Sequence, residues 1–402
     1  MADELVELTT TEFDAFALAH EQGSYLQTAA QAVLLRQRGW QTALLGMREA
    51  GKVVAAALVM WRPVKFGQFF QIDNGILMDW QNLQYVEKFV HGLRKFARQR
   101  GGLYLQVIPN IVGQTYDTTG QIQAINPLGL TLKNTLSQLG LQHQAPVAGW
   151  TTAASPQWQF MKLLPSSDSV PTYQKIVARH LKKAQRMGVM VRDLAQDELP
   201  AFQRVMHETA QRLSYHDKDL AFYQQAKSAF KDKLLFKVAT LNLDGFLQQT
   251  QADIQQLTDQ LQRVKVSQRD NITQQVIVAQ GRLAKFQSLR NVYGGGEIII
   301  SGLLLFQTPN EMTFVFGGTL DDFQEFDASY LLQDSAIRQA IATAIPRYNF
   351  YGISGLFDGT DGVLMFKQRF IGEIQQKVGT FILPIQPLKF QLYRFLKRLL
   401  KR

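Results

Sequence analysis

Apolar and polar positions along this chain follow two rhythms, one helical and one strand-like, and the switches between them outline an α/β protein. Phe13, Phe16, Ala17, Val33 and Leu34 recur at helical spacing and predict helix through residues 10–45. Apolar-rich runs at Lys52–Trp61 and Phe66–Ile76 predict two strands. Leu83, Val86, Phe89, Val90, Leu93 and Phe96 then share one face of a helix over Leu83–Gln99, closed by Gly101-Gly102. Leu103–Ile108 reads as a buried strand stopped by Pro109. Further along, strands are predicted at Leu234–Leu243, Glu297–Phe306, Thr313–Phe316 and Tyr348–Ile353, with a helix at Ser329–Ala344.

Residues 246–291 differ in kind. Leu247, Ile254, Leu257, Leu261 and Val264 recur at sevens, threes and fours, and Ile272, Val276, Ala279, Leu283 and Phe286 repeat the pattern after the polar stretch Ser267–Asn271. This is the seam of a coiled coil folded back at a polar turn, an antiparallel hairpin roughly 30 Å long. Gly281 weakens it by about 1 kcal/mol relative to alanine. Two readings stand: an arm that binds a partner or dimerises, or one packed on its own body or touching a large substrate. The resulting division is a first lobe at 1–150, a second at 151–245 and 292–386 interrupted by the arm at 246–291, and a tail at 387–402 set off by Pro384 and Pro387.

Composition narrows the chemistry. Among 402 residues there is no cysteine, which removes disulfides, thiolate nucleophiles, thiolate-bound zinc and iron–sulfur clusters. The opening MADELVEL has no basic stretch ahead of an apolar run, and Val53–Trp61 and Ile298–Phe306 are about half the length that crosses a bilayer, so a cytosolic protein is expected. The net charge of +10 is concentrated. Lys175, Arg179, Lys182, Lys183, Arg186 and Arg192 fall in one acid-free segment, and Lys389, Arg394, Lys397, Arg398, Lys401 and Arg402 in another. Removing these twelve charges leaves the rest of the chain at −2. Two polyanionic contacts are implied, such as nucleic acid and an anionic membrane surface. In the tail, Leu388, Leu392, Phe395, Leu396 and Leu399 share a face, as in an interfacial helix, although a docked helix with solvated charges gives the same pattern.

Common catalytic signatures are missing. No GxGxxG opens a helix, no phosphate-binding GxxxxGK[ST] occurs, and Gly352-Ile353-Ser354-Gly355 places its glycines wrongly for a nucleophile elbow. The six histidines are scattered without metal-ligand spacing. What does stand out is a set of motifs in fixed order. His180–Leu194 is followed by Glu198-Leu199-Pro200, then Gly317-Gly318-Thr319 with Ala328-Ser329-Tyr330. Arg347–Gly355 follows, then Gly362–Lys367, then Val378-Gly379 through Pro384-Ile385. The set closely resembles the FemABX family of peptidoglycan-bridge aminoacyltransferases over nearly the whole chain, including the coiled-coil insertion that only some members carry.

The resemblance implies two lobes of the acetyltransferase-like (GNAT-like) fold. It also implies transfer of an amino acid from aminoacyl-tRNA to the stem-peptide lysine, or to the growing bridge, of lipid II or a UDP-linked muropeptide. No metal or further cofactor is implied. The basic helical segment (Lys175, Arg179, Lys182, Lys183, Arg186) would follow tRNA phosphates, and the tail would rest on an anionic leaflet, making the enzyme cytoplasmic with peripheral membrane contact. In the matched Phe366-Lys367 pair the lysine would stabilise the oxyanion, where the plain alternative is an exposed lysine on a strand edge. Substrate phosphates would fall to Lys218, ahead of Phe222-Tyr223, and to Arg36 in the first lobe. Ile108 stands where the family has a carboxylate base, which leaves Asp73, in Gln71–Gly75, as the replacement candidate against a plain turn-forming role. A CoA-dependent N-acyltransferase on the same fold is the first alternative, although its (Q/R)xxGx(G/A) loop is not evident. A non-catalytic RNA- or membrane-binding relative is the second.

Overall fold

The structure is a computed structural model that describes residues 5–150, 154–165 and 169–399. Lys401 and Arg402 of the tail lie outside the described residues.

The chain opens with a short strand, β1 (Val6–Glu7), and two helices, α1 (Thr10–Ala19) and α2 (Ala29–Gln37). Thr9 and Glu12 form a reciprocal cap on α1, Thr28 caps α2, and Gly39 at φ +83° ends the helical stretch. Residues 41–45, predicted helical, are instead the start of β2 (Gln41–Glu49), which is buried continuously over residues 43–47, so its apolar run carries no alternation. Next come β3 (Lys52–Val64), β4 (Gly67–Asp73), β5 (Leu77–Met78), α3 (Leu83–Gln99), β6 (Gly102–Ile108), β7 (Val112–Tyr116), β8 (Ile122–Ile125), α4 (Pro127–Gln138) and β9 (Gln142–Gln144).

The second half begins with β10 (Trp158–Leu163), α5 (Lys175–Arg186), β11 (Val189–Asp193), α6 (Leu199–Arg212), α7 (Leu220–Phe230) and β12 (Leu234–Asn242). The two long helices α8 (Leu243–Arg263) and α9 (Val266–Tyr293) follow, then β13 (Glu297–Gln307), β14 (Met312–Thr319), α10 (Ala328–Ala342), β15 (Arg347–Gly352), α11 (Gly362–Gln368), β16 (Glu373–Lys377), β17 (Thr380–Pro384) and α12 (Pro387–Leu399).

Two sheets organise these elements. The first runs β1-β2-β3-β4-β6-β17-β9, with β5 beside β3, and the second runs β11-β12-β13-β14-β15-β10-β16-β7-β8. Each is antiparallel except at one place, where a helix crosses over: β4 and β6 pair in parallel around α3, and β14 and β15 around α10. This shared unit in both halves is the internal repetition that no similarity of sequence betrayed. The division at residue 150 is crossed in both directions. β7 and β8 leave the first half to extend the second sheet, and β17 returns from the second half to sit between β6 and β9. The lobes are thereby laced together, because each sheet needs the other half's strand to cover an edge.

The hairpin is as spaced, with one correction. α8 and α9 meet at Val264-Lys265, and the predicted polar turn Ser267–Asn271 lies inside α9. Those residues are exposed on the first two turns of α9, so their polarity marks a solvent face rather than a turn. Seam residues Ile254, Leu257, Leu261, Ile272, Val276 and Leu283 are half-buried between the two helices. Only the base docks on the body, where Phe286 is fully buried among Phe246, Phe323 and Phe326. Arg290 and Asp244 pair across the same base. Most of the arm's length therefore stands clear of the second lobe.

Candidate active site

Lys367 sits in the last turn of the short helix α11, not on a strand edge, and is only 4% exposed. The sequence around it builds that pocket. Asp361 caps α11 by accepting from Leu364 N at 2.9 Å, and its other oxygen accepts from Ser354 N at 2.9 Å, which ties the end of β15 to the start of the helix. Lys367 Nζ then donates to Gly352 O at 2.6 Å. Burial lowers its pKa to about 7, with Asp361 opposing the shift. An ammonium has three donors, so two remain to meet a developing oxyanion.

Phe366 turns the other way. Its ring meets Tyr330 edge-on at 5.1 Å, and Tyr330 stacks on His180 of α5 at 4.1 Å. One aromatic layer thus separates the Phe366-Lys367 pair from the basic helix. Lys175, Arg179, Lys182 and Arg186 stand at helical spacing on α5 and, with Lys183, His180 and Asp327, line an open groove of about 870 Å³. Asp327 accepts from His180 Nδ1 at 2.8 Å and pairs with Lys183 at 3.2 Å, so one of the cations is partly balanced within the protein. Arg192, grouped with these residues by sequence, belongs to a different place. It lies on β11 and is held by Glu198 and Glu297 at 2.6 and 2.8 Å.

The phosphate candidates fall where the lobes touch, and not all as expected. Lys218 is exposed just ahead of α7, with its Nζ 5.7 Å from the centre of the Phe222 ring. Tyr223 is a core residue instead of a surface contact. Its ring is fully buried against Phe202 and Phe236, and its hydroxyl donates to Asp217 at 2.9 Å. Arg36 turns back to Thr42 Oγ1 at 2.8 Å. The neighbouring Arg38, which the motif reading missed, reaches across to both carboxylate oxygens of Asp219 at 3.1 and 3.2 Å, beside Lys218.

Asp73 ends β4, is 4% exposed, and pairs in register with Ile108 on β6. Gln71 Nε2 donates to Asp73 Oδ1 and Gln27 Nε2 to Asp73 O, both at 2.7 Å. Burial raises its pKa to about 6, partly offset by Gln71 and by Lys377. No sequence signal marks Lys377, although it directly precedes Val378-Gly379.

The FemAB family model matches residues 8–398. Aminoacyltransferase FemA of Staphylococcus aureus strain bovine RF122 / ET3-1 is 29% identical over 415 residues, covering 98% of each chain, and the same protein of strain MW2 matches to the same extent. Among solved structures, FemX superposes with a TM-score of 0.75 at 17% identity, over 97% of this chain and 99% of that one. A tandem GNAT protein from the clavulanic acid biosynthesis pathway gives 0.50 at 11% identity, over 96% and 99%. These two likenesses bear on the fold, which is that of two GNAT-like lobes.

Proposed function

The chain belongs to the FemAB family, and from that premise we propose that it is a tRNA-dependent aminoacyltransferase that extends the peptide of a peptidoglycan precursor. Its relatives named FemA are aminoacyltransferases. The observation that carries the reading is the placement of Lys367: a buried cation with spare donors, one aromatic layer from a cationic groove.

An aminoacyl ester is already activated, so the chemistry needs alignment and charge stabilisation more than a nucleophilic side chain. A neutral amine of the acceptor attacks the ester carbonyl carbon, a C–N bond forms, and negative charge gathers on the former carbonyl oxygen. Lys367 turns its free donors onto that oxygen, and the ribose oxygen leaves. Tyr330 and Phe366 separate the reacting ester from the groove, where Lys175, Arg179, Lys182 and Arg186 track the phosphates of the tRNA. Lys218 takes the acceptor's phosphate from the lobe junction, with Arg38 on the facing helix corner.

The tail supports an acceptor carried by lipid. In α12, Phe390 packs on Tyr104 at 4.7 Å, while Leu388 and Phe395 are 82% and 59% exposed, with Leu392 and Leu399 also open to solvent. Lys389, Arg394, Lys397 and Arg398 surround this apolar stripe with no acid among them. The helix is docked by one face and free on another, and an anionic bilayer surface fits the free one. Among the described residues no helix is long and apolar enough to cross a membrane.

The test pairs a panel of charged tRNAs with either lipid II or the UDP-linked muropeptide and reads the product by mass. One added aminoacyl residue on an acceptor amine is the expected result. Acyl transfer from acetyl-CoA, with none from any charged tRNA, would refute the reading.

A further inference from the structure

Acidic residues are missing from three long stretches of this chain: none occurs between Glu49 and Asp73, between Glu87 and Asp117, or after Glu373. Folding brings the three stretches together. They supply β3, β6, β17 and all but the last residue of β4, four adjacent strands of the first sheet, with the C-terminal part of α3 and the whole of α12. The tail accounts for only one part of this acid-free surface.

The meeting point is Gly101-Gly102-Leu103. Gly101 O, at the end of α3, accepts from Gln68 N at 3.0 Å, just past the turn between β3 and β4. Leu103 O accepts from Ile385 N and Gln386 N at 3.0 and 3.2 Å, and Gly102 O from Gln386 Nε2 at 3.0 Å, immediately ahead of α12. Val64, beside the turn, packs on the small core of Leu103, Ile382 and Phe390 that also seats α12. The β3–β4 turn, the end of α3 and the start of α12 are therefore neighbours.

Val64 pairs with Gly67, so Lys65 and Phe66 are the two central residues of a tight hairpin, and Phe66 sits at φ +75°. Glycine or asparagine is the ordinary occupant of such a position, and a bulky residue there strains the backbone. Deep burial does not offset that strain: Phe66 is 37% exposed at the tip, with Lys65 Nζ 5.4 Å from its ring centre. Arg62, Arg98, Arg100 and Lys389 are exposed nearby. Arg62 lies over the Trp40 ring at 4.4 Å, and from there an aromatic row crosses to α12. Trp40 meets Phe69 at 6.1 Å, Phe69 meets Tyr104 at 4.7 Å, and Tyr104 meets Phe390 at 4.7 Å.

Resting on the reading of α12 as a membrane-facing helix, we infer that the Lys65-Phe66 turn is a second membrane anchor, carried by the first lobe. The Phe66 ring enters the headgroup region of an anionic bilayer, and Lys65, Arg62, Arg98 and Arg100 meet lipid phosphates. Charge complementarity favours this partner, since every charged side chain of the three stretches is positive. Apolar groups stand exposed among those cations, Phe66 on the turn and Leu388, 82% exposed, on α12; a bilayer takes up both. One ring and a few cations hold weakly alone, so the turn supplements α12 instead of replacing it. Two contacts also fix the tilt of the lobes on the bilayer, which a single helix leaves free to roll.

Because the chain has no cysteine, one introduced thiol takes an environment-sensitive NBD dye at a chosen place. Full-length Phe66→Cys, Leu392→Cys and Gln84→Cys are labelled and mixed with phosphatidylglycerol–phosphatidylcholine vesicles, with and without brominated acyl chains. Gln84 is in the first turn of α3, about 24 Å along the helix from Arg100. Labels at 66 and 392 should brighten at least about twofold and be quenched by bromine, as groups entering the interface do; the label at 84 should do neither. In unlabelled protein, Lys65→Gln with Phe66→Gly should weaken vesicle sedimentation at least about fivefold, the effect of one basic residue near such a surface. It should melt no lower than the wild type, since glycine relieves the backbone at φ +75°. A label that responds at 392 but not at 66, or at 66 no more than at 84, would overturn this inference alone. So would unchanged sedimentation of the double variant, or a response at 66 to tRNA but not to vesicles, which would give the face to nucleic acid. No response at 392 either would overturn the membrane reading of α12 and this inference with it.

Discussion

Lys367→Met removes a charge while keeping most of the side chain's length, so it separates what this lysine does for chemistry from what it costs the fold. A shift from the ordinary value of 10.5 to about 7 corresponds to about 5 kcal/mol of destabilisation wherever the unfolded and folded chains both carry the proton, at about 1.4 kcal/mol per pH unit. The variant gives up the bond to Gly352 O, a charged hydrogen bond whose loss returns about 1.5–3 kcal/mol of that. A net gain of about 2–3 kcal/mol at pH 6.5 is left. The sign of the pH dependence follows directly. Between about 7 and 10.5 the unfolded chain keeps a proton that the folded chain has released, so wild-type stability rises with pH across this window, while the variant has no such term. Its advantage is therefore full below pH 7 and fades towards pH 10.5. Urea unfolding at pH 6.5, 8 and 9.5 measures this, alongside a transfer rate expected to fall about 10²- to 10³-fold. A variant less stable than the wild type at pH 6.5, or one whose advantage grows with pH, would refute the argument that Lys367 is held at a cost for its chemistry.

Three further outcomes are expected. Lys218→Ala should raise KM for a phosphate-bearing acceptor about tenfold with little change in kcat, since a phosphate handle far from the ester binds ground and transition states alike; an unchanged KM on steady-state titration would remove Lys218 from the site. Replacing Arg179, Lys182 and Arg186 together by alanine should weaken aminoacyl-tRNA binding and flatten the log–log salt dependence by about two to three, as three lost phosphate contacts require; a filter-binding salt series with the wild-type slope would place the tRNA elsewhere. Deleting Leu388–Arg402 should abolish sedimentation with anionic vesicles while leaving transfer to a soluble acceptor within about twofold, because up to six basic residues contribute about 1 kcal/mol each near such a surface; equal sedimentation of the shortened protein would return α12 to a purely docked helix.

Periodicity made some features legible and left others hidden for definite reasons. The coiled-coil arm was visible because its seam repeats over two helices, and the half-buried residues are those the spacing picked out. The bend was misplaced because Val264-Lys265 contains no turn residue, while the polar run beyond it continues the helix. Spacing alone extends the helix into β2, since the buried run of that strand lacks alternation. The exchange of β7, β8 and β17 between sheets had no local signal, as short strands declare their partners only through tertiary contact. At the site, motif and charge single out Phe366-Lys367 and the basic helix, and the structure places the two one aromatic layer apart. Tyr223 was misassigned because an aromatic in a motif looks the same whether it faces substrate or core. The bonds of Lys377 to Asn74 and Ser155 have no signal in the sequence because the three residues lie far apart in the chain and meet only where the sheets join.

On the proposed mechanism the acyl group passes in one step from tRNA to an amine, with Lys367 stabilising the oxyanion. A single-turnover experiment with aminoacyl-tRNA labelled in its amino acid follows the label on tRNA, protein and acceptor together. Label should leave the tRNA at the rate at which it appears on the acceptor, with none on denatured protein, and ribonuclease added beforehand should abolish transfer. Label that accumulates covalently on the protein, or transfer that survives complete digestion of the tRNA, would contradict it.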